Sequence, residues 1–197
     1  METMDAGLLD ELEEWGRANE ARRPERSGKV LNLESETAGL IGLLIRSGRR
    51  SRLLEIGTSN GYSTIWLAWA ASAASLGGRV TSIERNPEKQ AMADENLRRA
   101  GLRDVVDLVL GDATEVVASL PGPFDFVFFD ADRVSAAEQL SLLVPKLNPD
   151  VMLLADNVLS HPAEISGYLA AVQSLLNVDH LVIPIGKGLS VAYRDAS

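Results

Sequence analysis

Short apolar runs alternate with longer segments of helical periodicity over most of this chain. The apolar runs are flanked by turn-forming residues and lie at 52–56, 80–83, 105–110, 124–129 and 151–155. The helical segments lie between and after them, near 61–76, 87–100, 112–119, 134–147 and 161–176. Strands that alternate with helices pair in parallel through βαβ crossovers. The pattern therefore predicts an α/β protein whose parallel sheet has helices on both faces.

The amino-terminal part of the chain is predicted to add two helices before this alternation begins. The first covers Leu8 to Glu20, where Leu12 and Trp15 fall at helical spacing with other leucines. The second covers Glu34 to Ser47.

The carboxyl-terminal part of the chain is predicted to end in an antiparallel hairpin. Two strand-like runs, His180 to Ile185 and Leu189 to Arg194, are separated only by Gly186-Lys187-Gly188. So short a connection joins antiparallel strands and cannot make a crossover. Pro184 favours an edge strand, because proline has no N–H to donate to a neighbouring strand.

Length and composition limit the possible classes of protein. With 197 residues we expect one domain over 1–197, in which 1–50 carry helices and 51–197 form the sheet and hairpin. The longest largely apolar stretch, Ile65 to Leu76, is too short to span a bilayer. The acidic first residues lack the basic and apolar regions of a secretion signal, so we expect a soluble, cytoplasmic protein without membrane contact.

The net charge and the absence of cysteine exclude further classes. Twenty-eight acidic residues against 19 basic ones give a formal charge of -9, which argues against a nucleic-acid partner. The chain has no cysteine, so disulfides, thiolate metal sites and a cysteine nucleophile are excluded.

A glycine-bounded loop after the first apolar run predicts a nucleotide-type cofactor. The run ends at Glu55, and Gly57 and Gly61 follow in a G-x-x-x-G spacing. Glycines let the backbone approach a ligand at the end of a buried strand. A carboxylate at Glu55 would repel a pyrophosphate but can pair with a cationic or amine-bearing cofactor. The alternative is an ordinary tight turn between strand and helix.

Two further strand ends carry acids suited to a nucleoside. Glu84 follows the second strand, 23 residues after Gly61, where an acid commonly binds both hydroxyls of a ribose. The alternative is a solvated glutamate at a strand end. Asp112 follows the third strand and is expected to cap the next helix, while its carboxylate and neighbouring backbone could also meet an adenine amine.

The fourth and fifth strands predict a metal site. Asp130 follows one strand, and Asp156 and Asn157 follow the other. Parallel neighbours lie about 4.8 Å apart, so these side chains should converge at one edge of the sheet if the two strands pair. Two carboxylates and a carboxamide oxygen form a hard, all-oxygen site suited to Mg²⁺. The alternative is a pair of helix caps.

Together these motifs resemble those of a known family. The chain is similar to class I S-adenosylmethionine-dependent methyltransferases, and among them to the metal-dependent O-methyltransferases related to catechol and caffeoyl-CoA O-methyltransferases. The similarity runs from about Val30 to Arg194 and rests on L-L-E-I-G-T-S-N-G-Y-S, S-I-E-R, G-D-A, F-F-D-A-D-R, A-D-N-V-L and P-I-G-K-G-L. It implies a Rossmann-like sheet in the order 3-2-1-4-5-7-6, with strand 7 antiparallel.

The resemblance also implies roles for individual residues. The methionine part of the cofactor would be lined by Asn32, Leu33, Glu55, Gly57, Ser59, Gly61, Tyr62 and Ser63. Glu84 would bind the ribose, with Arg85, Asp112 and Ala113 beside the adenine. Asp130, Asp156 and Asn157 would bind the metal, with Asp130 also close to cofactor and reaction. A small-molecule acceptor and a homodimer are implied as partners.

One position departs from the family pattern. Arg133 stands where the family carries a lysine placed to take the acceptor proton. Arginine stays protonated, so Arg133 is a poor base, although it could stabilise an oxyanion. The alternative is a surface helix residue paired with an acid such as Glu138. His161 is a weaker candidate base that more commonly would begin a helix, and Trp66 and Trp69 indicate core or dimer packing.

Three readings of function follow. The leading one is Mg²⁺-assisted O-methyl transfer from S-adenosylmethionine to a small, catechol-like acceptor. The others are methylation of a tRNA base, which the net acidity disfavours, and a cofactor-binding protein whose turnover was lost with the lysine. A dinucleotide oxidoreductase would need a G-x-G-x-x-G loop, which the chain lacks.

Overall fold

The computed structural model describes residues 6–22, 25, 29–74 and 77–196. Its strands, numbered in chain order, are β1 Arg52–Ile56, β2 Arg79–Glu84, β3 Val106–Leu110, β4 Phe124–Phe129, β5 Leu147–Ala155, β6 Val178–Ile183 and β7 Leu189–Arg194. Its helices are α1 Ala6–Arg22, α2 Ser35–Ser47, α3 Tyr62–Ala74, α4 Pro87–Arg99, α5 Ala113–Ser119, α6 Ala136–Leu143 and α7 Pro162–Gln173.

All seven strands form one sheet in the order β3-β2-β1-β4-β5-β7-β6. The pairs from β3 to β5 are parallel, whereas β7 runs antiparallel to both β5 and β6. The predicted α/β class, strand order and closing hairpin are therefore confirmed. The two predicted amino-terminal helices are present as α1 and α2.

The central strand β4 shows why the sheet needs helices on both faces. Every residue from Phe124 to Phe129 is buried. Successive side chains of a strand point to opposite faces. Accordingly, Phe126 and Phe128 join a core with α1, α2 and α3, whereas Val127 and Phe129 join a core with α6 and α7.

Element boundaries differ from the predictions at two prolines. The predicted helix at 134–147 is wrong in length, because α6 ends at Leu143 and a 3₁₀ turn at Val144–Lys146 leads into β5. Pro145 lies in that turn and lacks the N–H that a continuing helix needs. Similarly, β6 ends at Ile183, so Pro184 follows the edge strand instead of lying within it.

Three smaller features complete the fold. The end of the predicted helix at 61–76 lies partly outside the described residues, where α3 is defined to Ala74. Trp15 is 43% exposed, unlike the leucines of α1 that contact the core. Within the described part of the chain, no helix has the length and apolarity that crossing a membrane requires.

Candidate active site

A cavity of about 670 Å³ opens at the carboxyl ends of the parallel strands. Crevices beyond this edge are where open α/β sheets bind ligands. Most residues singled out from the sequence line this one cavity: Asn32, Leu33, Gly57, Ser59, Tyr62, Ser63, Glu84, Arg85, Asp112, Ala113, Asp130, Arg133, Asp156 and Asn157. The fold thus brings the expected cofactor and metal residues into a single space.

Glycine is required at Gly57 by both conformation and space. Gly57 has φ +108°, and a Cβ there would lie 2.4 Å from the carbonyl oxygen of Asp130. Side chains rarely adopt such a φ, and no Cβ tolerates such a contact. The loop after β1 therefore touches the loop after β4 directly through backbone. Gly61, at φ +87°, packs against Ala93 behind the wall and does not itself line the cavity.

Glu55 lies behind the cavity wall, contrary to the expectation that it would line the methionine part. Its side chain is fully buried and accepts hydrogen bonds from Ser63 Oγ and Ser82 Oγ, each at 2.6 Å, and from Thr64 Oγ1. The physical reason is strand alternation, which directs Glu55 toward the first turn of α3. Burial raises the pKa of Glu55 from 4.5 to about 7, although the three hydroxyls oppose the shift.

Glu84 is fixed by backbone donors on both sides of its carboxylate. Ser59 N donates to Oε2 at 2.8 Å, and Asn86 N donates to Oε1 at 2.9 Å. A carboxylate has about four acceptor positions, so each oxygen keeps one for a ligand. This arrangement links the glycine loop to the end of β2 and suits a pair of hydroxyl donors.

Asp112, after β3, caps the next helix, and Gln139 of α6 lines the same cavity although the sequence did not point to it. Asp112 Oδ1 accepts from Thr114 N at 2.9 Å and Glu115 N at 3.3 Å, which confirms the capping expectation. Gln139 of α6 lines the same cavity and is only 3% exposed. Its Oε1 is buried without a hydrogen-bond partner in the described structure. An orphaned amide oxygen in a cavity wall is suited to a ligand donor.

The acidic side chains at the ends of β4 and β5 converge as their positions predicted. Asn157 Nδ2 lies 2.6 Å from Asp156 Oδ2 and 3.4 Å from Asp130 Oδ1. Burial, followed by repulsion from Asp156, raises the pKa of Asp130 well above its usual value. Burial likewise raises the pKa of Asp156 to about 6. We define Asp130, Asp156 and Asn157 as the acidic edge.

The acidic edge fits a divalent cation. Asp156 Oδ1 is buried and has no hydrogen-bond partner in the described structure, and both carboxyl groups lack a compensating charge in contact. Asn157 would offer Oδ1 to a cation if its amide turned over, because Nδ2 now faces the acids. The donor set is oxygen-rich and includes only two carboxylates. Within the described chain, no group of three His, Cys, Asp or Glu side chains has metal-binding geometry.

Arg133 is not the surface helix residue that one reading proposed. It precedes α6, its side chain is 7% exposed, and it lines the cavity. Its partner is Glu164 of α7, and the proposed pairing with Glu138 is wrong. Nε and Nη2 donate to the same oxygen, Glu164 Oε2, at 2.9 and 2.7 Å. Because α6 begins only at Ala136, Arg133 turns toward α7 instead of along its own helix.

Lys187 is another cation in the cavity wall, and sequence reasoning did not single it out. It lies at the tip of the β6–β7 hairpin, and its Nζ lies 2.9 Å from Glu34 Oε1. The available signal was topological, because an antiparallel β7 beside β5 brings this tip to the same edge as the parallel strand ends. His161, by contrast, does not line the cavity and contacts Ser160.

The two tryptophans of α3 serve packing. Trp66 and Trp69 meet edge to face with ring centroids 6.3 Å apart, and both pack against the core that includes α2. Neither lines the cavity. This confirms the expectation of core packing over ligand stacking.

The part of the chain that carries the glycine loop, the parallel strands and the acidic edge matches a known protein family. Residues 54–158 match the family model described as "Methyltransferase domain". The chain belongs to this family. The matched region begins in β1 and ends just beyond the acidic edge, so it contains the ends of β1 to β5 that line the cavity.

Two relatives of this chain are named as catechol O-methyltransferases. A catechol O-methyltransferase of Mycobacterium tuberculosis is 38% identical over 118 residues, which cover 59% of this chain and 52% of that protein. One from Niastella koreensis is 36% identical over 134 residues, covering 66% of this chain and 59% of that protein. The chain therefore spans little more than half the length of these curated relatives.

A solved structure extends the likeness to nearly the whole chain. The O-methyltransferase TomG of Streptomyces achromogenes, solved in complex with SAM, superposes with a TM-score of 0.82 at 25% identity. The alignment covers 97% of this chain and 91% of that one. The fold of this chain therefore agrees, over nearly its whole length, with that of a solved O-methyltransferase.

Proposed function

We propose that this protein is an S-adenosylmethionine-dependent, divalent-cation-assisted O-methyltransferase that acts on a small hydroxylated acceptor of the catechol type. The observation that carries the proposal is the single cavity that joins the glycine loop and Glu84 to the acidic edge. Methyl transfer needs the donor and the acceptor oxygen side by side and in line. Relatives named as catechol O-methyltransferases, and a SAM-bound structural neighbour, support the proposal.

The cofactor would lie along the ends of β1, β2 and β3. Its methionine part would be surrounded by Asn32, Leu33, Ser59, Tyr62 and Ser63. Gly57, which has no side chain, would let the cofactor approach the backbone closely. Glu84 would accept hydrogen bonds from the ribose, and Arg85, Asp112 and Ala113 would flank the adenine. Glu55 would act from behind the wall by holding the Ser63 hydroxyl in place.

The acceptor would bind at the acidic edge. Asp130, Asp156 and Asn157 would hold the divalent cation, which we propose to be Mg²⁺ and which lowers the pKa of a bound hydroxyl. Asp130 also borders Gly57 through its backbone, so the same residue would orient acceptor and cofactor toward each other.

Arg133 would supply positive charge beside the acceptor and would not act as a base. Its Nε and Nη2 are held by Glu164, while its Nη1 makes no hydrogen bond to a described residue. An arginine side chain carries a permanent positive charge. It would therefore favour the ionised form of the acceptor hydroxyl from the cavity wall.

Two measurements test the proposed function. Calorimetry should show binding of S-adenosylhomocysteine, and a methyl-transfer assay with catechol should show turnover that needs Mg²⁺ and stops with EDTA. Absence of binding by the product would refute the cofactor assignment. Binding without transfer to a broad catechol panel would instead favour a cofactor-binding protein, the reading that the arginine at position 133 supports.

We also propose a homodimer in which the α2–α3 face meets its counterpart. Leu43 of α2 is 64% exposed, and it shares that helix pair with the half-buried Trp66 and Trp69. Light scattering of the purified protein measures its mass, and a monomer at micromolar concentration would refute this part.

A further inference from the structure

The tip of the β6–β7 hairpin is tied to the segment that follows the acidic edge. The backbone carbonyl of Lys187 accepts from Leu159 N at 3.1 Å and from Ser160 N at 3.2 Å. The carbonyl of Gly188 accepts from Val158 N at 3.1 Å. Three hydrogen bonds therefore hold the tip against residues that come directly after Asn157.

Close packing fixes the same tip. Gly186 and Gly188 have φ +53° and +94°, and a Cβ at Gly188 would lie 2.5 Å from Leu159 Cγ. The backbone of the tip thus approaches its neighbour more closely than any other residue would allow. Lys187 is carried by a rigid support, as a group that must meet a reacting atom requires.

The Lys187 side chain lines the same cavity as the acidic edge. Its positive charge interacts electrostatically with both Asp130 and Asp156. One ammonium contact goes to Glu34 Oε1 at 2.9 Å, and Nζ has no other hydrogen bond to the described residues. An ammonium has three donors, so two remain for an acceptor in the cavity.

Lys187 is suited to donate a hydrogen bond and not to abstract a proton. Burial lowers the pKa of Lys187, but its hydrogen bond to Glu34 and the attraction of the nearby acids outweigh burial and raise it. Arg133 has a different geometry, because two of its nitrogens are committed to Glu164. Compared with Arg133, Lys187 has a compact charge on a flexible side chain and fewer contacts to neighbouring carboxylates.

We propose that Lys187 is a catalytic residue whose ammonium donates a hydrogen bond to the acceptor oxygen that receives the methyl group. The inference rests on the proposed function. The acceptor hydroxyl loses its proton to water, and its oxygen forms the new bond to the methyl carbon. The carbon–sulfur bonding pair returns to sulfur, which leaves as a neutral thioether. Lys187 keeps its proton and stabilises the oxyanion before the bond forms.

Substitution of Lys187 tests this role through kcat. Lys187→Met keeps an unbranched chain and removes the charge, and it should lower kcat for catechol about 100-fold, as for loss of an oxyanion donor. The affinity for S-adenosylhomocysteine should stay within about twofold, because the cofactor lies along other strands. Lys187→Arg should restore part of the rate. Glu34→Gln, which removes the anchor but keeps the ammonium, should cost about tenfold in kcat.

A spectroscopic probe separates this role from a structural one. A nitro-substituted catechol changes absorbance when its hydroxyl ionises, so its ionisation on the Mg²⁺ and S-adenosylhomocysteine complex can be read directly. The wild-type protein should lower the pH at which the bound probe ionises, and Lys187→Met should reverse much of that shift. Lys146→Met is the matched control, because Lys146 contacts Val117 and Ala118 carbonyls away from the cavity.

Distinct results overturn the inference and the proposed function. Retention of kcat within about threefold in Lys187→Met, with an unchanged probe, would overturn the inference and leave the proposed function standing. A wild-type protein that binds no S-adenosylhomocysteine would overturn the proposed function. In that case the probe is measured with Mg²⁺ alone, and equal ionisation on the wild type and Lys187→Met, or no binding of the probe, overturns the inference.

Discussion

Replacement of the buried carboxyl group of Glu55 should change how stability depends on pH. Glu55→Gln keeps the size of the side chain and one acceptor oxygen, while the surrounding hydroxyls of Ser63 and Ser82 can rotate to meet the added N–H₂. The substitution removes one titration and leaves the other ionisable groups in place. The comparison of the two proteins therefore isolates the contribution of Glu55.

The sign follows from the direction of the pKa shift. The pKa of Glu55 is raised from 4.5 to about 7 in the folded protein, mainly by burial. Between these values the folded state binds the extra proton, so the free energy of unfolding falls as pH rises. At 1.36 kcal/mol per pKa unit, the full loss is about 3 kcal/mol, and most of it occurs between about pH 5 and pH 8.

Urea denaturation of the ligand-free protein at several pH values provides the measurement. The difference in unfolding free energy, wild type minus Glu55→Gln, should fall by about 2 to 3 kcal/mol from about pH 5 to pH 8. Glu14→Gln, on the exposed face of α1, is the matched control and should change by less than about 0.5 kcal/mol. A difference that is flat with pH, or that rises, would refute the assignment of a buried, protonated Glu55.

Three further predictions concern the cavity wall. Gly57→Ala should destabilise the protein by about 2 to 4 kcal/mol in thermal unfolding, through strained φ and the clash with the Asp130 carbonyl; a loss below about 0.5 kcal/mol would contradict the geometry. Gln139→Leu should weaken S-adenosylhomocysteine about tenfold in calorimetry but leave its inosine analogue, which lacks the adenine amine, nearly unaffected; equal effects would exclude a contact with that amine. Arg133→Gln should lower kcat for catechol about tenfold, whereas Glu164→Gln should lower it less; the reverse order would show that the pair is only structural.

The part of the site that could be predicted from the sequence consists of residues that directly follow the strands. Once the strand order is known, the residues after β1, β2, β3, β4 and β5 must share one edge. Glu84, Asp112 and the acidic edge were singled out in part because they follow strands, and they do line one cavity. The positions of such residues can be predicted without knowing side-chain direction, because the course of the backbone alone places them at this edge.

The residues that sequence reasoning misplaced depend on direction or on distant partners. Glu55 faces α3 because it lies one position inside the strand end, where alternation decides its side. The partner of Arg133 lies 31 residues away on α7, beyond any local spacing rule. Gln139 reaches the cavity from a helix, through packing that the sequence pattern does not contain. Lys187 reaches it from the hairpin tip, whose place follows only from the antiparallel position of β7 beside β5.

The order of the strands divides the cavity into two separately encoded parts. The groups that we propose for the cofactor come mostly from the loops after β1, β2 and β3, whereas those that we propose for the acceptor come from the loops after β4 and β5 and from the hairpin tip. On the proposed function, changes within the last third of the chain, at Arg133, Lys187 and the residues following Asn157, should alter the acceptor range and leave the cofactor pocket intact. Gly57 marks the seam between the parts, where backbone meets backbone and no side chain can be exchanged.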